Sequence, residues 1–246
     1  MSKAKLGAII LAAGKGKRMN SRNINKVVLS LAKKPMIVHT ISLLEKVSIK
    51  EIVIVVGFAK ESVMSLLGSE VIFAEQKKRL GTAHAVLCGL KKMPEDIDDV
   101  LVVNGDDSAF YSKDLISDLI NTHFSSNASL TFLTIDKKNP SGLGRVVRDG
   151  KGKVIAIVEE KDATQSERQI KEINPGCYIF KVHFLKKYLK TVKKSEVTGE
   201  YYLTDLIDIG IRNNEKIEAF RGGSLPWRGV NTKKELLEAE KLFLQG

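Results

Sequence analysis

Three apolar runs set the frame of the chain. Residues 6–11, 51–56 and 100–103 are short, nearly unbroken and rich in branched aliphatics, the pattern of strands buried on both faces. Between them the period changes. Residues 36–47 carry Ile37, Ile41 and Leu44 at helical spacing, with Pro35 near the start, and residues 61–67 also read as helix. Residues 71–73 form a short strand leading to Gln76, and Leu80-Gly81-Thr82-Ala83-His84-Ala85 is a glycine turn opening a helix towards Leu90. Residues 113–123 are amphipathic, and residues 129–134 alternate as a strand. Strands alternating with helices predict an α/β fold, a Rossmann-like and mostly parallel sheet flanked by helices. Ligand sites are then expected at the carboxyl ends of the strands.

From residue 136 the rhythm shifts. Residues 145–148 and 154–159 flank Asp149-Gly150-Lys151-Gly152, a hairpin signal, and residues 172–180 follow as a strand whose start is interrupted by Asn174-Pro175-Gly176. This predicts a small antiparallel insertion, about 136–182, beside the main sheet within one domain spanning 1–246. A helix at 204–213 and a strand at 216–220 come next. Thr232-x-x-Glu235 is a capping box before a last helix with Leu236, Leu237, Leu242 and Phe243 as its apolar face.

Composition narrows the setting. No run approaches the apolar length needed to span a bilayer, and the run after Lys3 and Lys5 is too short for a secretory signal. Cys88 and Cys177 sit in apolar sequence and read as reduced packing thiols, and the four histidines lack metal or triad spacing. These features predict a cytoplasmic protein with no membrane partner. Forty basic residues against 29 acidic give a net charge of +11, which can signal nucleic acid. The lysines are scattered, however, and aromatics make up only 6%. Small anionic ligands fit this distribution better than nucleic acid.

Candidate chemistry starts at the end of the first run, where Ala12-Ala13-Gly14-Lys15-Gly16-Lys17-Arg18-Met19 joins glycines to cations. Glycine lets successive amides face an anion, so the loop suits a phosphate chain; it also fits a plain glycine turn with solvated lysines. A Walker loop needs wider glycine spacing and a Ser or Thr after the lysine. A dinucleotide fingerprint needs a third glycine and an acid closing the second strand, and Val55-Val56-Gly57 offers none. Asp106, after the third run, is a candidate ligand for a hard cation such as Mg2+, or alternatively a helix cap.

The LAAGKGKRM stretch, followed by Asn25-Lys26, resembles the sugar-phosphate nucleotidyltransferases, and within them the uridyltransferase domains of bacterial N-acetylglucosamine-1-phosphate uridyltransferases. The resemblance covers nearly the whole chain and implies the nucleotide-diphospho-sugar transferase fold. It implies that Leu11, Ala12, Ala13, Gly14, Gly16 and Lys17 hold the nucleotide, with Arg18 and Lys26 acting on the phosphates. Gln76, Gly81 and Thr82 correspond to the base reader. Asn104, Gly144, Glu159, Asn174 and Tyr201 correspond to sugar contacts, the last within a Gly199–Asp205 stretch bordering that pocket. Asp106, in Gly105-Asp106, and Asn231, in Gly229-Val230-Asn231, correspond to the Mg2+ ligands. Four positions depart from the pattern: Asn25 where proline is common, Arg79 in place of a glutamine, Asn104 where tyrosine is frequent, and the extra acid Asp107.

The implied reaction joins UTP to N-acetylglucosamine 1-phosphate, giving UDP-N-acetylglucosamine and pyrophosphate, in a monomer or small homo-oligomer. Glucose 1-phosphate or another sugar phosphate, TTP, or a nucleotide-sugar sensor without turnover are the alternatives. No hexapeptide repeats of an acetyltransferase occur in the sequence, so acetyl transfer is not expected of it.

Overall fold

A computed structural model describes residues 4–16, 23–69, 71–106, 108–225, 227, 229–230 and 232–245. Its first half runs β1 (Leu6–Ala12), a small hairpin of β2 (Ser30–Leu31) and β3 (Lys34–Pro35), α1 (Met36–Lys46), β4 (Ile52–Val56), α2 (Lys60–Leu67), β5 (Ile72–Glu75), α3 (Thr82–Leu90), β6 (Asp99–Asn104) and α4 (Lys113–Ser126). The three apolar runs become adjacent parallel strands, with β1 between β4 and β6 and β5 outside β4. Side chains alternate across a strand. Ile9, Val53, Val55, Val100 and Val102 therefore enter one core, against α3 and later helices. Ala8, Ile10, Ile54, Leu101 and Val103 enter the other, against α1, α2 and α4. Burial on both faces explains why these strands are unbroken apolar runs rather than alternating ones.

The second half contains β7 (Leu130–Asp136), β8 (Gly144–Arg148), β9 (Val154–Val158), β10 (Glu172–Asn174), β11 (Tyr178–Lys181), α5 (Val182–Tyr188), α6 (Asp205–Arg212), β12 (Ile217–Arg221) and α7 (Lys233–Gln245). The antiparallel insertion does not lie beside the main sheet. It is spliced into it, forming one ten-stranded sheet among the described residues. β11 lies between β6 and β7 and is antiparallel to both, while β12 extends the far edge of β7 in parallel.

The interrupted strand expected at 172–180 is the splice. Both of its pieces, β10 and β11, run along β7, but they slip between Ile173↔Ile135 and Tyr178↔Phe132, five positions on one strand against three on the other. Pro175 has no amide to donate and Gly176 takes φ +88, a conformation that glycine tolerates. On its other edge β11 faces β6, whereas β10 faces β8. The slip thus opens a gap between the carboxyl end of β6 and the start of β8. A Cβ on Gly176 would stand 2.5 Å from Asn104 Nδ2, so the gap is tightly fitted on that side.

Other expectations resolve locally. Thr232 Oγ1 accepts from the Glu235 amide at 3.1 Å, as the capping pattern requires. Leu236, Ala239 and Phe243 of α7 pack on Leu31, Met36 and Val230, but Leu237 is 61% exposed and is not part of that face. His123 is buried between Thr131 and Asp99, His39 meets the Leu31 carbonyl, and Cys88 and Cys177 pack into the two cores. No helix among the described residues is long and apolar enough to cross a membrane.

Gly176→Ala should lower the unfolding free energy by about 1–3 kcal/mol, through backbone strain and the Asn104 clash. Gly150→Ala, at a position with no heavy atom near the added methyl, should change it by about 0.5 kcal/mol or less. Urea unfolding of the two variants measures the contrast; equal losses would refute it.

Candidate active site

The glycine-rich loop leaves β1 at Ala12 and is fixed from behind by Asn25, a residue that the motif comparison marks only as a departure. Asn25 is fully buried. Its Nδ2 donates to the carbonyls of Ala12 and Phe58, both at 2.8 Å, and its Oδ1 accepts from the Val27 amide at 3.2 Å. The Phe58 amide in turn donates to the Ala13 carbonyl, and Gly57 lies so close to Ala13 that a Cβ there would sit 2.9 Å away. One amide side chain therefore joins the end of β1, the loop after β4 and the turn that carries Lys26.

Two adjoining cavities open at the strand ends. The first, about 410 Å³, is lined by Ala12, Ala13, Gly14 and Gly16, with the cations Lys15, Lys26 and Arg79 on its walls. The second, about 250 Å³, lies in the gap made by the strand slip and is lined by Gly144, Glu159, Asn174, Gly176 and Thr204 among others. Leu11, Lys26, Thr82, Asn104 and Asp106 line both. The pair forms one cleft with a half lined by glycines and cations, a half lined by polar side chains, and a charged seam between them.

Lys26 and Asp106 meet at that seam in an ion pair, their side chains only 15% and 10% exposed. Lys26 Nζ also donates to the Val230 carbonyl at 3.2 Å, which brings the segment before Asn231 to the same spot. Asp106 is a hard-oxygen donor already facing a cation within a phosphate-sized cleft. That is the donor chemistry Mg2+ uses when substrate phosphates complete its shell. Asp106 thus has the donor chemistry of a magnesium ligand.

The turn entering α3 is built on Gly81, at φ +104, where a Cβ would fall 2.4 Å from the Tyr201 carbonyl oxygen. The Tyr201 amide donates to the Leu80 carbonyl and its carbonyl accepts from Ala83. Tyr201, expected among the sugar contacts, accordingly backs the 80–83 turn and does not line the second cavity. Gln76 is 4% exposed and lines neither cavity; its Nε2 donates to the Gly81 carbonyl at 2.9 Å and lies 3.0 Å from His84 Nδ1. Thr82 Oγ1 accepts from the Leu203 amide at 2.9 Å, tying the start of α3 to the wall of the second cavity.

In the second cavity, Glu159 is held by a hydrogen bond from Thr204 Oγ1 at 3.2 Å, and burial pushes its carboxyl pKa up. Asn174 spends both ends of its amide locally, donating to the Tyr178 hydroxyl and accepting from the Gly176 amide at 3.1 Å. Glu160 braces the loop carrying Gly144, accepting from the Gly142 amide at 3.0 Å and from the fully buried Arg145 at 2.6 Å. Leu203, Thr204 and Trp227 line this half, and Glu200 the other. The sequence signal for Glu200, Leu203 and Thr204 is the Gly199–Asp205 stretch, whose residues divide between the halves; Trp227 has none. Lys17, Arg18, Asp107 and Asn231 lie outside the described residues.

A parallel strand-end cleft with a glycine loop, a strand-end aspartate and a separate polar lobe is a layout able to hold a phosphate chain beside a second polar group. The chain belongs to the nucleotidyl transferase family, whose model matches residues 7–246. It is 41% identical over 238 residues to the bifunctional protein GlmU of Thermoanaerobacter pseudethanolicus, covering 97% of this chain and 51% of that protein. Against GlmU of Caldicellulosiruptor saccharolyticus the identity is 42% over 236 residues, with 95% and 50% covered. The chain thus spans about half the length of the curated relatives it matches. A structure assigned as a glucose-1-phosphate thymidylyltransferase from Bacillus anthracis shares the fold, with a TM-score of 0.80, 23% identity, and 97% and 95% of the two chains covered.

Asn25→Ala leaves two carbonyls without their donor and should cost about 2–4 kcal/mol of stability. Asn25→Asp, which sets a carboxylate oxygen against those carbonyls, should be at least as damaging. Thermal and urea unfolding of both variants checks this; a wild-type midpoint in Asn25→Asp would show that the side chain does not brace the loop.

Proposed function

We propose that this chain joins UTP to N-acetylglucosamine 1-phosphate, forming UDP-N-acetylglucosamine and pyrophosphate. The observation that carries the reading is the Lys26–Asp106 seam shared by the two halves of the cleft. A phosphate of one ligand and a triphosphate of the other can meet only there. The motif resemblance to uridyltransferase domains, the family membership and the GlmU relatives support the same reading.

In this reaction a phosphate oxygen of the sugar phosphate attacks the α-phosphorus of UTP. The bond from that phosphorus to the bridging oxygen breaks, and pyrophosphate leaves with the electron pair. The acceptor phosphate has a second pKa near about 6, so at neutral pH it is already mostly dianionic and needs no general base. Alignment and charge are the barrier, which positioned cations and amides can lower. Gly14 and Gly16 would present amides to the triphosphate, and Lys26 would face the reacting phosphates, with Arg18 as its partner by resemblance. Asp106 and Asn231 would hold Mg2+, which when bound would neutralise phosphate charge. Gly81 and Thr82 would border the base, and Glu159 and Gly144 the acetamido sugar.

Asp106→Ala should lower pyrophosphate release by roughly 10²-fold or more at saturating Mg2+, in a chain whose circular dichroism matches wild type. Survival within about tenfold, only ~1.4 kcal/mol of transition-state stabilisation, would remove Asp106 from the site. Lys26→Met should reduce kcat by a similar factor; a change in KM alone would leave it a binding residue. A panel of sugar 1-phosphates and triphosphates read by pyrophosphate release should favour N-acetylglucosamine 1-phosphate and UTP in kcat/KM. A preference for glucose 1-phosphate would keep the class and overturn the substrate.

A further inference from the structure

Lys15 lines the first cavity but not the second, and so stands away from the Lys26–Asp106 seam that the two share. It lies between two glycines. Gly16 takes φ +54, and a Cβ on Gly14 would meet no heavy atom within 4 Å, so the loop is open beside the Lys15 stem. What meets the side chain is an aromatic ring. Lys15 Nζ lies 5.6 Å from the centroid of Phe58, within reach of a cation–π contact. That ring is carried on a fixed backbone: the Phe58 amide donates to the Ala13 carbonyl at 3.2 Å, and its carbonyl accepts from Asn25 Nδ2 at 2.8 Å. Among the described residues no carboxylate pairs with Lys15, whereas the charge of Lys26 is compensated by Asp106.

We infer that Phe58 is a positioning residue for a bound phosphate chain: its ring holds the Lys15 ammonium on the glycine loop, where that charge meets the phosphates farthest from the seam. A lysine side chain loses much rotational freedom when it is fixed. The ring confines it before a ligand arrives, so less ordering is left for binding. A ring face attracts the cation without neutralising it, as a carboxylate would. The ammonium therefore keeps its full charge, with N–H donors to spare for phosphate oxygens. A chain whose reacting end lies at the seam runs along the loop amides towards Lys15, so a triphosphate reaches the ammonium and a monophosphate does not. In the proposed transfer these distal phosphates leave as pyrophosphate, and Lys15 stands beside the charge that the leaving group gathers. The motif resemblance assigns no role to Lys15 or to Phe58. The inference rests on the proposed use of a nucleoside triphosphate and deepens it.

The test is binding, which does not depend on turnover. Dissociation constants of UTP, UMP and inorganic tripolyphosphate are measured by calorimetry on the full chain, with a thermal midpoint for every variant. Lys15→Met should weaken UTP and tripolyphosphate by roughly tenfold and Phe58→Leu by roughly fivefold, with UMP changed by less than about twofold in both. Phe58→Tyr keeps a ring face and should hold UTP affinity within about twofold of wild type. In a chain carrying both Lys15→Met and Phe58→Leu, the second change should add less than about twofold to the first, because the ring acts only through the ammonium. An unchanged UTP affinity in Phe58→Leu overturns the inference. So does a Phe58→Leu loss that persists in full beside Lys15→Met, or that falls equally on UMP, since the ring would then support the loop and not the charge. If tripolyphosphate shows the coupling and UTP does not bind, the pair stands and the uridyl reading falls. If the chain releases pyrophosphate from UTP but neither change alters UTP or tripolyphosphate binding, the pair falls and nucleotidyl transfer stands.

Discussion

The strand that slips along β7 between Asn174 and Tyr178 is the constraint on which the cleft depends. A continuous strand there would bring β6 and β8 edge to edge along one neighbour and fill the space between them. Instead the chain gives up regular pairing across Pro175 and Gly176, and the sheet keeps its continuity through the Leu133–Cys177 hydrogen bond at 2.9 Å. The parallel half and the antiparallel half are thus one rigid sheet with a built-in opening. Rigidity matters for a reaction governed by alignment, since small displacements of reacting groups cost large factors in rate. Asn174 and Gly176, which make the slip, are also on the wall of the cavity that it opens.

Around this opening each polar side chain is steadied by a partner that stands behind it. Asn25 steadies the glycine loop, Thr82 the segment at Leu203, Thr204 the Glu159 carboxyl, and Glu160 with Arg145 the turn before Gly144. Such supporting contacts hold rotamers and loops in one geometry, so that ligand binding costs little reordering. The nearly buried Lys26–Asp106 pair belongs to the same scheme. An isolated charge in that position would carry a heavy desolvation penalty, and the two relieve each other.

Much of the fold was legible because the strands β1, β4 and β6 are buried on both faces, and unbroken apolar runs have few other readings. The hairpin of β8 and β9 was announced by its glycine-bearing turn, and α7 by the Thr232 cap. What was not legible depends on contacts between distant segments. Nothing in the local pattern says that residues 172–180 pair with β6 at one end and β8 at the other, so the insertion read as a neighbour of the sheet and not as part of it. Leu237 fits a helical apolar stripe by spacing, yet the surface that α7 covers is too narrow to reach it. For the site, Leu11, Ala12, Ala13, Gly14, Gly16, Lys26, Gly81, Thr82, Asn104, Asp106, Gly144, Glu159 and Asn174 all line the cleft. Tyr201 and Gln76 stand behind it because the Tyr201 backbone and the Gln76 amide hydrogens are spent on the 80–84 turn, a choice that sequence spacing does not reveal. Asn25 acts on backbone atoms far along the chain, and no motif encodes that.

The hydrogen bond from Lys26 to the Val230 carbonyl joins residues 204 positions apart. Val230 is itself fully buried under α7, against Leu31, Met36 and Ala239. A chain leaving the ribosome in order exposes its glycine loop and Asp106 long before that carbonyl exists. Loop closure over such a separation is slow compared with the local helices and hairpins. The last wall of the cleft is therefore fitted after nearly all the rest, when the final helix docks. Until then the emerging chain has the parts of the cleft without this section of its wall.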